Sequence, residues 1–165
     1  MKFDPSIVKS TFESDLGPMT LAATDKGLAG VWFNDQQHRP DYAAWPEGPD
    51  HPVLKNAMRQ LAEYLAGRRG SFDLPLDLRG GTTFQQAVWQ ALLAIPAGST
   101  TSYGVISKQV GNPKAVRAVG AAVGRNPIGI IVPCHRVMGS DGSLTGYAGG
   151  LHRKQALLSL EHTSC

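Results

Sequence analysis

The sequence predicts an α+β protein, with a small sheet-bearing N-terminal lobe and a mainly helical C-terminal lobe that contains a helix-turn-helix. Three observations carry this reading. Apolar residues alternate on both sides of a turn early in the chain. Helical spacing replaces alternation after residue 52. Two short helical segments then meet across Gly111. A chain of 165 residues suits one domain, or a core domain with a small second lobe. The lobes are set at 1–80 and 81–165.

The elements follow in order. In "GPMTLAATDKGLAGVWF" (17–33), Met19, Leu21 and Ala23 alternate with polar or small residues. Asp25-Lys26-Gly27 makes a turn, and Val31 and Phe33 resume the alternation, so the stretch reads as a hairpin. Residues 34–52 are polar and proline-rich, a loop. Leu54, Met58, Leu61 and Leu65 have helical spacing, with Gly67 placed to end the helix. "GRRGSFDLPLDLRGG" (67–81) is a short extended connection between the lobes. Thr82 and Gln85 have capping-box spacing. Phe84, Val88, Ala91, Leu92 and Ile95 then form one apolar helical face, stopped by Pro96 and Gly98.

"SYGVISKQVG" (102–111) is a short helix ended by glycine. "NPKAVRAVGAAVG" (112–124) is a second helix, with Asn112 as N-cap and Pro113 in the first turn. The second helix carries Lys114 and Arg117, no acid, and many small residues, among them Ala118 and Ala121. Small residues suit close approach to a surface, or tight packing inside a core. "GIIV" (129–132) is a buried strand or apolar loop, and 139–150 a glycine-rich loop. "LHRKQALLSLEH" (151–162) is a closing helix with Leu151, Leu157, Leu158 and the stem of Lys154 on one side.

Composition narrows the class. Hydrophobic content of 42% and charged content of 18% match an ordinary globular protein. No apolar run is long enough for a membrane span, and the N-terminal residues do not read as a secretory signal. Two cysteines, Cys134 and Cys165, cannot build a disulfide framework, so a reducing, cytoplasmic setting is expected. Charge is uneven. Residues 1–80 carry 9 basic and 11 acidic side chains, and residues 81–165 carry 7 and 2. Such asymmetry points to a polyanionic partner for the second lobe, or to a mildly basic solvated surface.

Cys134 sits in "IIVPCHRV" (130–137). A free thiol, with a pKa of about 8.5, is only slightly ionised at neutral pH and needs a base, a cation or a helix N-terminus to react. His135 is adjacent, but neighbouring side chains diverge in an extended segment, so a direct bond is not obvious, and a bridging water could connect them. The imidazole then needs an acid to orient it. The second lobe offers only Asp141, in a glycine-rich turn, and Glu161, on the last helix; Glu161 is favoured. A buried, inert sulfur is the alternative. Three function classes stay open on the residues alone: a thiol that transfers a group, a DNA-binding module without chemistry, and a thiol enzyme that turns over. No histidine has zinc-site spacing with the cysteines, so no metal is expected.

"VPCHRV", "SYGVIS", "NPKAVRAVGAAVGRNP" and "TGYAGGLHRKQALLSLE" together resemble the O6-alkylguanine-DNA alkyltransferases, also called methylated-DNA–protein-cysteine methyltransferases. The resemblance covers roughly residues 82–161 and is looser before them. It implies a ribonuclease-H-like N-terminal sheet lobe and a winged-helix-like helix-turn-helix. It implies a DNA repair protein that flips O6-alkylguanine, and O4-alkylthymine, out of duplex DNA and moves the alkyl group irreversibly to its own Cys134, once per molecule.

By the same resemblance, His135 takes the thiol proton through water and Glu161 orients His135. Asn126 is a hinge between the recognition helix and the cysteine loop. Tyr103 turns the target phosphate and donates to the guanine ring, and Arg117 fills the vacated stack. Lys114, Ala118, Ala121 and Arg125 complete the DNA face. Val137, Tyr147 and Ala148 form the base pocket with Cys134; the carbonyls of Cys134 and Val137 receive the guanine amine, and the Ala148 N–H lies near O6. Ala148 stands where some relatives have serine or glycine, which leaves only its backbone donor. The resemblance implies no cofactor. The partner is double-stranded DNA, bound in the minor groove largely without regard to sequence, by a protein monomeric in solution. Side-by-side cooperative binding is left open.

Overall fold

The computed structural model describes residues 1–164, with side chains through His162; Cys165 lies outside the described residues. Three antiparallel strands form the first sheet in the order β1 (Val8–Phe12), β2 (Met19–Thr24), β3 (Gly27–Phe33). The β2–β3 pair is the expected hairpin, and β1, which the alternation does not reveal, pairs Val8 with Ala23 through Phe12 with Met19. Every residue of β2 and β3 is buried, so both faces of the hairpin are covered rather than one. Leu21, Val31 and Phe33 face the main core, while Ala22, Ala29 and Trp32 pack under Phe3, Tyr42 and Trp45. The polar loop therefore supplies an aromatic lid for the outer face of the sheet.

One glycine makes that lid possible. A Cβ at Gly30 would lie 1.9 Å from the Trp32 ring. Gly30→Ala is expected to cost at least about 2 kcal/mol, because a buried indole between packed rings cannot retreat. Urea unfolding checks this; an unchanged midpoint would show that the ring relocates freely.

Helix α1 (Pro52–Leu65) packs on the inner face of the sheet through Leu54, Ala57, Leu61 and Tyr64. His51 caps it, its Nδ1 accepting the Val53 N–H at 3.2 Å. The extended connection runs beside β3, where Leu28 N–H donates to Pro75 O at 2.8 Å and Asp77 N–H to Leu28 O at 2.7 Å. Helix α2 (Thr83–Leu93) starts with the capping box from Thr82 and Gln85. Its Trp89 Nε1 donates to Ala122 O at 2.9 Å, joining α2 to the helix-turn-helix.

The helix-turn-helix is α3 (Tyr103–Gln109) and α4 (Val116–Gly124), turned by Gly111 at φ 82°. Here the structure corrects a boundary. Asn112 does not cap α4 and Pro113 does not open it; the helix begins four residues beyond Asn112, after Ala115. Asn112 is held instead by the end of α3. Its N–H donates to Ser107 O at 3.0 Å, and its carbonyl accepts the Ser107 hydroxyl and the Ala115 N–H.

After α4 the chain returns to the first sheet. Val31 N–H donates to Pro127 O at 2.8 Å, and Gly129 N–H to Val31 O at 3.0 Å. "GIIV" is an apolar loop rather than a strand. Ile130 has φ 69°, a conformation costly for a β-branched residue by about 1–3 kcal/mol, and its burial holds it there. This reversal delivers the helical turn Cys134–Arg136. A short parallel pair, β4 (Thr101–Ser102) with β5 (Val137–Met138), fixes that turn beside the start of α3.

Helix α5 (Leu151–Ser164) closes the fold. Leu157 is buried, but Leu151 is exposed and Leu158 only half-buried. Besides Leu157, the buried residues of α5 are polar: Arg153, Lys154 and Glu161. The main core draws on both halves of the chain, from Met19 to Leu157. Among the described residues, no helix is long and apolar enough to cross a membrane.

Candidate active site

Cys134 opens its helical turn and is half-buried, with a free thiol. Desolvation pushes the thiol pKa up. The Asn126 side chain, the Lys154 charge and nearby backbone donors counter this only in part. Asn126 also shapes the approach: its Nδ2 donates to Val132 O at 2.8 Å, and its Oδ1 accepts the Ile128 N–H at 3.0 Å. A residue just past α4 thus clamps the loop that carries the cysteine.

The base and acid of the sequence reading meet, although 26 residues apart. His135 Nε2 lies 2.7 Å from Glu161 Oε2, with both side chains buried. With the Nε2 proton on this bond, Nδ1 carries the lone pair, and it has no hydrogen-bond partner among the described residues. Burial lowers the His135 pKa; the Glu161 charge pulls it back up. The imidazole is therefore held neutral, as a base must be.

Burial would raise the Glu161 carboxyl, but its hydrogen bonds from His135, Arg136 and Tyr64 win and hold it at about 2. Arg136 supplies two of those bonds, Nε to Oε1 at 2.9 Å and Nη2 to Oε2 at 2.7 Å, while its Nη1 donates to Ile95 O at 2.5 Å. The Tyr64 hydroxyl donates to Oε2. Sequence reasoning misses Arg136 and Tyr64. Arg136 sits next to the favoured histidine in "PCHRV", a signal that was available; Tyr64 lies 97 residues from Glu161 and gave none.

A cavity of about 200 Å³ opens on Cys134. Tyr103, Gly120, Tyr147 and Ala148 line it, and Gln37 and His38 reach it from the N-terminal half. Tyr103 accepts a hydrogen bond from Thr145 Oγ1 at 3.1 Å, which leaves its own proton to give. Val137 is brought near but does not line the cavity. Its side chain is buried, and its carbonyl already accepts Lys154 Nζ at 2.7 Å, so one lone pair remains. A larger concavity of about 370 Å³, beside Gly98 and α5, contains neither Cys134 nor any residue of α4.

Helix α4 divides its small residues between core and surface. Val119, Ala122 and Val123 face the core, while Val116, Arg117, Ala118 and Ala121 are exposed, with Lys114 and Arg125 exposed at its two ends. The outward face is thus low in relief, flanked by cations and free of acids. No group of three or more His, Cys, Asp or Glu among the described residues is placed to hold a metal ion.

Two family models match the chain. The 6-O-methylguanine DNA methyltransferase DNA-binding domain covers residues 83–163, and the ribonuclease-like domain of the same proteins covers residues 7–78. The chain is 52% identical over 151 residues to the methylated-DNA–protein-cysteine methyltransferase of Mycobacterium bovis, spanning 92% of this chain and 90% of that one. It is 51% identical over 153 residues to the Methanosarcina acetivorans protein of the same name, spanning 91% and 95%. The crystal structure of the Mycobacterium tuberculosis O6-methylguanine methyltransferase superposes with a TM-score of 0.87 at 49% identity, covering 96% of this chain and 94% of that one. The same species' OGT in complex with DNA gives 0.85 at 50% identity, covering 94% and 92%. With a half-buried cysteine next to a buried His-Glu pair, a basic helix-turn-helix, and both halves matched, this chain belongs to the 6-O-methylguanine DNA methyltransferase family.

Proposed function

We propose that this protein repairs DNA directly, by moving an alkyl group from O6 of guanine to the sulfur of its own Cys134. One observation carries the reading: the single described cysteine lies in a cavity beside a basic exposed helix, and the histidine next to it is buried against Glu161. In the reaction the sulfur attacks the alkyl carbon and the carbon–oxygen bond breaks. The bonding electrons leave with the guanine, and the thiol proton passes through water to His135 Nδ1. Glu161 then faces an imidazolium and stabilises it. At rest both Cys134 and His135 are neutral, because burial disfavours the charge on each. The thioether product has no good leaving group, so each molecule acts once.

A guanine stacked in a duplex cannot reach a recessed sulfur, so the nucleotide is flipped out at a cost of a few kcal/mol. Arg117 fills the gap in the stack, and Ala118 and Ala121 let α4 lie close in the minor groove. Lys114 and Arg125 hold phosphates. The Tyr103 hydroxyl donates to the departing base, the Ala148 N–H lies near O6, and Tyr147 walls the pocket. The carbonyls of Cys134 and Val137 accept the guanine amine. Asn126 joins the reading helix to the reacting loop. O4-alkylthymine presents the same alkyl–oxygen bond to the same cavity. Residues 1–80 support the reacting lobe, 81–165. The protein works as a monomer in the cytoplasm, where the thiol stays reduced.

The test is an intact mass. After incubation with duplex DNA bearing O6-methylguanine, the protein should gain one methyl group on the Cys134 peptide, in proportion to protein, and Cys134→Ser should gain none. A wild-type protein that binds the duplex without a mass change would overturn the reading and leave a DNA-binding module.

A further inference from the structure

We propose that Tyr64, from the N-terminal half of the chain, is a positioning residue of the alkyl-transfer relay, holding the Glu161 carboxylate that in turn holds His135. The inference rests on the reading above and gives the N-terminal half a part in the chemistry as well as in support.

The geometry is specific. Glu161 Oε2 accepts His135 Nε2, Arg136 Nη2 and the Tyr64 hydroxyl, while Oε1 accepts Arg136 Nε. Tyr64 and Glu161 are both buried, and a small cavity of about 140 Å³ reaches the two of them from the side of Gly67 and Ala97. Arg136 and His135 come from the one turn that also carries Cys134. Tyr64 comes from α1, which the inner face of the sheet fixes. Its ring packs on Phe72 with centroids 5.3 Å apart, so the direction of the hydroxyl is set by packing.

The chemical consequence follows from charge sharing. Each donor on Oε2 takes up part of the negative charge that would otherwise favour an imidazolium. Losing one donor makes the carboxylate a stronger partner for the proton on His135, so the base fills with a proton at higher pH. The titratable and charged groups facing the His135–Glu161 pair are Tyr64 on α1, Cys134 and Arg136 on the turn, Tyr147 on the loop and Lys154 on α5. Of these, Tyr64 can lose its hydrogen bond to Glu161 without removing a charge or a reacting atom.

Tyr64→Phe tests this. The ring and its packing stay, so the fold is expected to survive, as a thermal melt and an unchanged duplex affinity would show. Single-turnover transfer from an O6-methylguanine duplex should slow about 3-fold on the acid limb of the rate–pH profile, and less near neutral pH. The acid limb of the rate–pH profile should move to higher pH by several tenths of a unit. In the Glu161→Gln background, Tyr64→Phe should change the rate less than twofold, because the residue acts through Glu161. A Tyr64→Phe profile that overlays the wild type, a rate loss with an unmoved acid limb, or losses that multiply in the double variant would each overturn the proposal. A wild-type protein that transfers no methyl group would refute the function instead, so the two failures are distinguishable.

Discussion

Glu161→Gln is expected to slow alkyl transfer by on the order of 100-fold while duplex affinity stays within about twofold. Glu161 is buried, whereas the cations of α4 are exposed, so duplex binding is expected not to depend on it. The transfer step does. An amide offers no charge to stabilise the His135 imidazolium and turns an N–H₂ group toward donors that need an acceptor. Stability falls as well, by roughly 3–5 kcal/mol, because Arg136 is left as a buried, unpaired cation. Single-turnover kinetics, filter binding and urea unfolding separate these effects. A large loss of DNA affinity would make Glu161 a structural residue only.

The same variant changes the response to acid. The folded Glu161 carboxyl sits at about 2, against 4.5 ordinarily. Between those values the unfolded chain binds a proton that the folded chain does not, so stability rises with pH there. The contribution is fully present above about 4.5 and is lost as pH falls toward about 2. His135 acts in the same sense, since burial lowers its pKa from 6.5, and its contribution is lost as pH falls below that value. Wild-type stability should therefore fall in two stages on acidification. In Glu161→Gln the lower stage should flatten. A lower stage of equal size in both proteins would assign acid sensitivity elsewhere.

The second large effect belongs to Arg117. Arg117→Ala should slow reaction with an O6-methylguanine duplex about 10-fold, and leave reaction with a free O6-alkylguanine base unchanged. Arg117 is exposed on the outward face of α4, away from the buried relay. In the proposed role it acts only where a nucleotide must leave a stack, and a free base has no stack to leave. A tenfold change corresponds to about 1.4 kcal/mol, a fraction of the cost of flipping. Equal losses on both substrates would mean that Arg117 shapes the pocket rather than the duplex.

The sequence and the structure divide the explanation at identifiable residues. The capping box at Thr82 and Gln85 was legible because both partners lie within one turn of helix. The inward periodicity of α2 and the glycine at 111 were legible for the same reason. Asn112 misled because its type suits a cap, whereas Ser107, on the preceding helix, takes its carbonyl and delays α4. Leu151 misleads because helical spacing places it with Leu157, whereas α5 exposes it and buries Arg153, Lys154 and Glu161 beside Leu157. Strand β1 was hidden because only half of its surface is buried and its pattern is correspondingly weak.

The sequence by itself determined the chemistry that was possible. One cysteine among proline, histidine and arginine, a second lobe with only two acids, and a basic helix of small residues are facts of composition and order. Those facts, with the resemblance they carry, point to Cys134, His135 and Glu161. Tertiary structure alone decided which side of α4 faces out, that Arg136 shares Glu161 with His135, and that Tyr64 reaches the same oxygen. The physical reason is range. Helix caps and periodicity are set by neighbours a few residues apart, while a buried carboxylate takes whatever donors the packed core brings to it. Here one of those donors comes from a helix 97 residues away, placed by a sheet that carries none of the reacting groups.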